Sequence, residues 1–323
     1  MAQMTPLLVF IFLILQFGIG YSLPYKAGYK PIFYRWVEDA GIDLDRRLNR
    51  PGRPQSVRIV RGAMVGVVMG LAAVVIGLAV HYVGRSVYGF FAQLLFLACC
   101  VNFMTPIKVA REVLKNIEDL PKAKASLQPY LHEPLEHADG HTVIRRTIEF
   151  IAFSFNRFLL GPVFWFLVAG PIGMALYVTY SALQHEFGWP DKRRKYFGQF
   201  VRGVDILLNI VPAALSVVFI AASGLFVRRV NPWNEVVSIV QQSRAAGLVY
   251  REWLMAAMAN GLGIALGGAV RYNENYVEKK PWLGPKDGTA RLMPDDLLSA
   301  THLQYVFLLY ISVMISIFMI IGL

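Results

Sequence analysis

The sequence predicts an all-α polytopic integral membrane protein with about five to six membrane helices, some kinked or re-entrant, joined by cytoplasmic helical loops. Three observations predict it. Hydrophobic residues make up 56% of the chain and the mean hydropathy is +0.47, against about 45–50% apolar in soluble domains. Only 16% of residues are charged, and they cluster between long apolar runs, as loop charges do in membrane proteins. Several of those runs approach the roughly 20 residues that a helix needs to cross a hydrocarbon core about 30 Å thick.

Thr5 to Tyr21 is the first membrane segment, residues 5–21. No basic stretch precedes it and no small-x-small cleavage site follows, so it reads as a helix rather than a removed signal. Residues 22–61 carry nine Lys and Arg from Lys26 to Arg61. The positive-inside rule places this loop in the cytoplasm and the N-terminus outside. Residues 62–83 form a span rich in small residues, which suit close helix packing. Residues 87–107 return after a short turn. Residues 108–148 form the second basic cytoplasmic loop, which opens with the amphipathic stretch Val109, Val113, Leu114, Ile117 and Leu120 and meets a break at Pro121.

Residues 149–183 are apolar throughout. That is too long for one upright helix and short for two full crossings. Gly161–Pro162 and Gly170–Pro171 interrupt the run, which predicts a kinked or re-entrant hairpin. The side on which Gln184 to Arg202 emerges is contested. It lies outside if this run and the next apolar segment, residues 205–227, each cross, and inside if both are re-entrant, which Lys192, Arg193, Arg194, Lys195 and Arg202 favour. Residues 205–227 form a further segment, interrupted at Pro212. Residues 228–301 read as a mixed cytoplasmic loop holding a glycine-rich helix, Trp253 to Gly268. Residues 302–323 form the last span. The whole chain, 1–323, reads as one membrane domain.

The formal charge of +11 fits basic loops lying against anionic headgroups. No nucleic-acid-binding module is visible, and nucleic acid is not an expected partner. Cys99 and Cys100 are adjacent and form no ordinary disulfide. His132, His137 and His141 share a loop with Pro134 and Gly140; the trio could hold a metal, but solvated histidines are the favoured reading and no metal is predicted.

From about Arg111 to Leu298 the chain resembles the CbiB/CobD family, membrane proteins of cobalamin biosynthesis that attach the aminopropanol arm to adenosylcobyric acid. Val113–Lys124 (VLKNIEDLPKAK) is similar to the family's helix before its first motif. Arg145–Glu149 (RRTIE) with Gly161–Phe164 (GPVF) resembles its main membrane motif. Tyr196–Gly198, Asp205, Asn209 and Pro212–Ala213 match an FG…D…N..PA string. Ala256–Gly268 (AAMANGLGIALGG) and Glu278–Gly284 (EKKPWLG) are the most specific matches, because rare residues recur at fixed spacing in family order.

Departures accompany these matches. Phe153–Ser154, Arg157–Phe158, Gln184, Ile206, Ala214 and Leu254–Met255 stand where the family pattern has acidic, asparagine, arginine or proline residues. An amide-joining step driven by ATP needs carboxylates for magnesium and cations for phosphate. The replaced set resembles the motif loss of AmpE-like relatives, which retain the scaffold.

The resemblance and the chemistry single out Arg146, Glu149, Asp205, Asn209, Glu278, Lys279 and Trp282. Glu149 opens a membrane segment, where an ionisable residue is a functional candidate, yet a helix-start carboxylate beside Arg145 and Arg146 is also plain structure. Asp205 and Asn209 share a helix face and could hold a ligand or tie down the backbone at Pro212. Arg157 could pair with Glu149 or Asp205. The loop with Glu278, Lys279, Lys280 and Trp282 faces substrate if the resemblance holds, or rests on anionic lipid.

The leading expectation is a non-catalytic membrane scaffold, regulatory subunit or partner, located in a bacterial inner membrane and working with a membrane protein or another copy of itself. It needs no cofactor. The first alternative is an adenosylcobinamide(-phosphate) synthase, an enzyme, which would bring in ATP, Mg and a corrinoid. The second is a small-molecule transporter built on the broken helices.

Overall fold

The computed structural model describes residues 4–50, 52–86, 88–187, 194–227, 249–273 and 276–321. Its described part is a helical membrane bundle. Five helical stretches are long and apolar enough to cross a bilayer, and α1 (Met4–Ser22) is a shorter apolar helix beside them.

The longest straight element is α3 (Gln55–Val83). One face carries Gly62, Gly66, Gly70, Ala73 and Gly77, repeating every three or four residues, which aligns them along the helix. A methyl group on Gly62 would sit 1.8 Å from the Phe197 carbonyl oxygen, and one on Gly77 would sit 2.5 Å from the Ile172 Cα. The stripe therefore lets two backbones approach closely, the means by which helices associate where lipid supplies no hydrophobic drive. The opposite face exposes Met64, Val68, Leu71 and Val75, as a lipid-facing surface should.

The expected continuous span at 87–107 is instead two helices, α4 (Gly89–Cys100) and α5 (Met104–Lys115). The break at Val101–Phe103 is stabilised from outside. The Asn102 amide donates to the Phe158 carbonyl at 3.0 Å, the Gln16 side chain donates to the Val101 carbonyl at 2.7 Å, and the Asn102 side chain accepts from the Thr105 amide at 3.1 Å. Irregular backbone at this depth is tolerated because protein groups satisfy it.

The next run begins earlier than residue 149, at α7 (Gly140–Phe155), where Asp139 caps the helix by accepting from the Thr142 amide at 2.9 Å. A π-helical turn, Asn156–Leu160, leads into α8 (Gly161–Phe187). α8 is not one rod. Ala169 and Gly170 leave helical geometry, and Gly170 has φ +63°, which a side chain rarely tolerates. The two arms then lie against each other. A methyl on Gly161 would meet the Tyr177 ring at 2.0 Å, one on Gly173 would meet the Trp165 carbonyl at 2.7 Å, and Arg157 bonds Ser181. A straight helix would hold residues 161 and 177 about 24 Å apart. The run is a hairpin whose second arm returns to the level at which the first entered.

That geometry brings residues 184–187 and 194–202 to the end of the bundle that also holds α2 (Ile32–Leu48). Arg194 bonds Asp45 of α2 at 3.3 Å, and Gly41 packs on Leu183. The hairpin tip, at Ile172, meets Gly77, leaving about 9 Å of α3 beyond it at 1.5 Å per residue.

Helices α10 (Gln199–Val227) and α12 (Pro294–Ile321) run alongside each other, with Phe219 stacking edge-on against Phe307 at 5.6 Å. Before them come the short helices α6 (Leu120–Leu127) and α9 (Arg194–Phe197). The glycine-rich helix is α11 (Tyr250–Leu262), and it stops six residues before the expected end at Gly268. Gly263 ends it with φ +66°, the usual left-handed helix stop. An antiparallel β-hairpin follows, β1 (Leu266–Asn273) with β2 (Tyr276–Leu283), in register Leu266 to Leu283 and Gly267 to Trp282. These strands correct the helical reading of Ala265–Gly268. The first part of the expected 228–301 loop, residues 228–248, lies outside the described residues.

Candidate functional site

At the bundle end that holds α2 and the loop after α6, a cavity of about 360 Å³ opens between α7, α11, β1 and β2. Its size falls at the lower end of the roughly 300–1,000 Å³ typical of small-molecule sites.

On α7, Arg146, Glu149, Phe150 and Phe153 line it, spaced three and four apart so that they share one helix face. Arg146 is clamped between two carboxylates. Its Nη1 donates to Glu149 Oε2 at 2.5 Å and its Nε donates to Glu133 Oε1 at 2.9 Å. The Arg146 side chain is only 4% exposed. The other Glu149 oxygen accepts from the Gly267 amide at 2.7 Å. Gly267 has φ +89°, and a methyl there would lie 2.3 Å from the Pro281 carbonyl, so the close approach of β1 to Glu149 requires glycine. Lys280 of β2 reaches Glu133 Oε2 at 3.9 Å.

The α11 wall adds Arg251, Glu252 and Met255. Among the described residues, buried Arg251 Nη2 has no acceptor and buried Glu252 Oε2 has no donor. Burial pushes the Glu252 carboxyl above the usual carboxylate range, against the pull of Arg251 and Lys280. Two unpaired buried ends of opposite sign facing one cavity are what a ligand carrying both signs would satisfy, since leaving them unmet is unfavourable by about 1–3 kcal/mol each.

The expected site residues separate into groups. Arg146 and Glu149 meet at the cavity. Trp282 lies beside it, half exposed, with the Arg145 guanidinium 5.2 Å above its ring. Glu278 and Lys279 pair in the ladder with Val270 and Ala269, and their side chains lie outside the described residues.

Asp205 and Asn209 go elsewhere. Asn209 Nδ2 donates to Asp205 Oδ1 at 3.1 Å, and Asn209 Oδ1 accepts from Asn156 Nδ2 at 2.7 Å and from Tyr177 OH at 2.9 Å. Tyr250 OH donates to Asp205 Oδ2 at 2.7 Å, and Ser216 donates to Asn156 Oδ1 at 3.2 Å. Each of the six residues is buried. This knot joins α10, α11, the π-helical turn and the returning arm of the hairpin. Its partners satisfy one another, and none of Asp205, Asn209 and Asn156 lines the cavity.

Arg157 pairs with neither Glu149 nor Asp205. Its Nε and Nη2 donate to the Ser181 hydroxyl and carbonyl at 3.2 and 3.3 Å, and its guanidinium lies 4.7 Å from the Phe153 ring centre. The histidines also differ from the solvated trio. His141 bonds the Leu292 carbonyl at 2.8 Å, whereas His132 packs on His185 at the cavity.

Sequence reasoning missed Glu133, Arg251, Glu252 and His185 as cavity residues, whereas Lys280, of the charged loop singled out by the resemblance, does line it. Glu133 sits in a loop without helical period, so only contact with Arg146 reveals it.

The fold and site define a helical membrane protein with a small charged cavity at one end of its bundle. The family model described as CobD/Cbib protein matches residues 17–304, and the chain belongs to that family. It is 27% identical over 289 residues to the cobalamin biosynthesis protein CobD of Rhodobacter capsulatus, covering 86% of this chain and 87% of the relative. It is 30% identical to the proteins of the same name from Stutzerimonas stutzeri (166 residues, 51% of this chain and 52% of the relative) and Brucella anthropi (172 residues, 52% and 51%). In those two comparisons the chain spans about half the length of the relative. No solved structure matches it.

Proposed function

We propose that this chain serves cobalamin biosynthesis from the bacterial inner membrane as a non-catalytic binding member of its family. It holds a small ligand with both charge signs and presents it to a membrane partner or a second copy. The charge balance of the cavity carries this reading. Arg146, Arg251 and Lys280 face Glu133, Glu149 and Glu252, three formal charges of each sign. A nucleotide polyphosphate needs a surplus of cations or a chelated metal. Glu133 and Glu149 are both engaged by Arg146, so the donor set does not fit a magnesium–nucleotide group. Phe153 and Met255, at family positions that differ here, form apolar cavity wall.

The synthase reading is the second. It is favoured by the convergence of three separate family motifs, RRTIE, LGG and EKKPWLG, on one cavity through the Glu149–Gly267 bond. In that reading Glu149 and Glu133 would take up an amine and Arg146 the partner's anionic group. Transport draws less support, because the Asn156–Tyr177–Asn209 knot fills the bundle below the cavity.

Complementation of a bacterium unable to attach the aminopropanol arm separates the two. The binding reading expects no growth on cobyric acid together with saturable binding of aminopropanol phosphate, which carries both signs, to the purified chain. Growth that is lost in Glu149→Gln would overturn it in favour of the synthase.

A further inference from the structure

His132 comes from the loop after α6 and His185 from the end of the hairpin's returning arm. His132 Nε2 lies 3.2 Å from His185 Nδ1, with ring centres 4.1 Å apart. Glu186 adds a carboxylate oxygen, which with one ring nitrogen of each histidine forms a set of donors all within 4.8 Å of one another. We propose that His132, His185 and Glu186 form a binding site for a divalent transition metal of the zinc class. This inference is independent of the function proposed above.

The spacing is the first argument. Two nitrogens on a tetrahedral zinc, each about 2.0–2.1 Å from it, stand roughly 3.3 Å apart. The two imidazole nitrogens already stand at that separation, on elements 53 residues apart in sequence. The donor set of two imidazoles and one carboxylate suits zinc, and leaves its fourth position to water or a ligand. Both histidines line the cavity, which gives an ion a way in.

The second argument is tautomer control. Arg157 Nη1 lies 3.2 Å from His185 Nδ1 and can only donate, so Nδ1 carries a lone pair. The opposite nitrogen, Nε2, faces Glu38 Oε1 at 3.6 Å. A carboxylate behind the far nitrogen is the arrangement that orients metal-binding histidines.

Two groups compete with the ion. His132 Nε2 donates to the His185 carbonyl at 2.8 Å, and loading moves that proton to Nδ1. Arg157 must leave the His185 lone pair, which its two bonds to Ser181 allow, and Arg194 shares Glu186 at 3.8 Å.

The test uses the full chain in detergent with a histidine-free affinity tag. Zinc is titrated against a chromophoric chelator, and cobalt is added for its absorption spectrum. We expect one ion per chain, tetrahedral cobalt bands, and a rise in melting temperature with zinc. His132→Ala and Glu186→Gln should each weaken binding at least tenfold, His137→Ala, at an exposed loop position, should leave it unchanged, and Arg157→Gln should tighten it. Folding of each variant is checked by its metal-free melting curve. Absence of stoichiometric binding by the wild-type chain, or binding that survives both His132→Ala and Glu186→Gln, would overturn the proposal.

Discussion

The Gly267 amide donates to Glu149 Oε1 at 2.7 Å, joining the tip of β1 to the middle of α7 across 118 residues of sequence. Through it the β-hairpin closes over the cavity, and Arg146 is left to occupy the second carboxylate oxygen.

Removing Glu149 should therefore unseat two partners at once. Glu149→Ala leaves the Gly267 amide unmet and the nearly buried Arg146 with Glu133 as its remaining carboxylate here. Breaking one side of a buried ion pair destabilises by about 3–5 kcal/mol. Thermal melting in detergent should register the loss, and Glu149→Gln, which still accepts from Gly267, should recover part of it.

Gly267→Ala and Gly268→Ala should be nearly as damaging. Their φ values are +89° and +76°, and added methyls would meet the Pro281 carbonyl oxygen at 2.3 Å and the Trp282 ring at 2.4 Å. We expect losses of about 1–3 kcal/mol for the backbone strain alone. Trp282 fluorescence should shift, because the β1–β2 ladder has to move. An unchanged spectrum and melting point would contradict the register described.

Asn209→Leu separates structure from chemistry. The side chain bonds Asp205, Asn156 and Tyr177 inside the bundle, so the substitution leaves several buried polar groups unmet, at about 1–3 kcal/mol for each. Yield and melting temperature should fall. Ligand binding at the cavity should be retained in the fraction that folds, and a selective loss of binding in a stable variant would move Asn209 into the site.

Acidification should loosen the His132 loop. A histidine held down to about 4 in the folded protein titrates near 6.5 when the loop is free. The undocked state binds more protons between those values, so docking is fully stable above about 6.5 and weakens as pH falls toward 4. The difference amounts to on the order of 3 kcal/mol. Hydrogen exchange at residues 131–138 should accelerate over that window in the wild type and be flat in His132→Gln.

Much of the bundle was legible because membrane helices write themselves as apolar runs. The hairpin was readable from one physical conflict: 35 apolar residues, two Gly-Pro breaks and a basic segment afterwards. The β-hairpin was not. Ala265–Gly268 is as apolar and small as the helix before it, and only the positive φ values of Gly263, Gly267 and Gly268 distinguish the two. Half of the candidate site was readable for a similar reason. Arg146 and Glu149 lie on one helix turn, so spacing pairs them. Glu133 and Arg251 come to the cavity from a loop and another helix, and pairing them needs tertiary structure. Asp205 and Asn209 were correctly placed on one face, but which neighbour that face meets decides between ligand and scaffold.

The reversal at Ala169–Gly170 has a consequence for how the chain can be altered. An element that crosses the bilayer sets the sidedness of everything after it, so lengthening or shortening it risks inverting the rest. An element that turns back sets none. Residues added or removed at this tip change only how deep the hairpin reaches, which makes it a place where a probe can be inserted while α10 and α12 keep their direction.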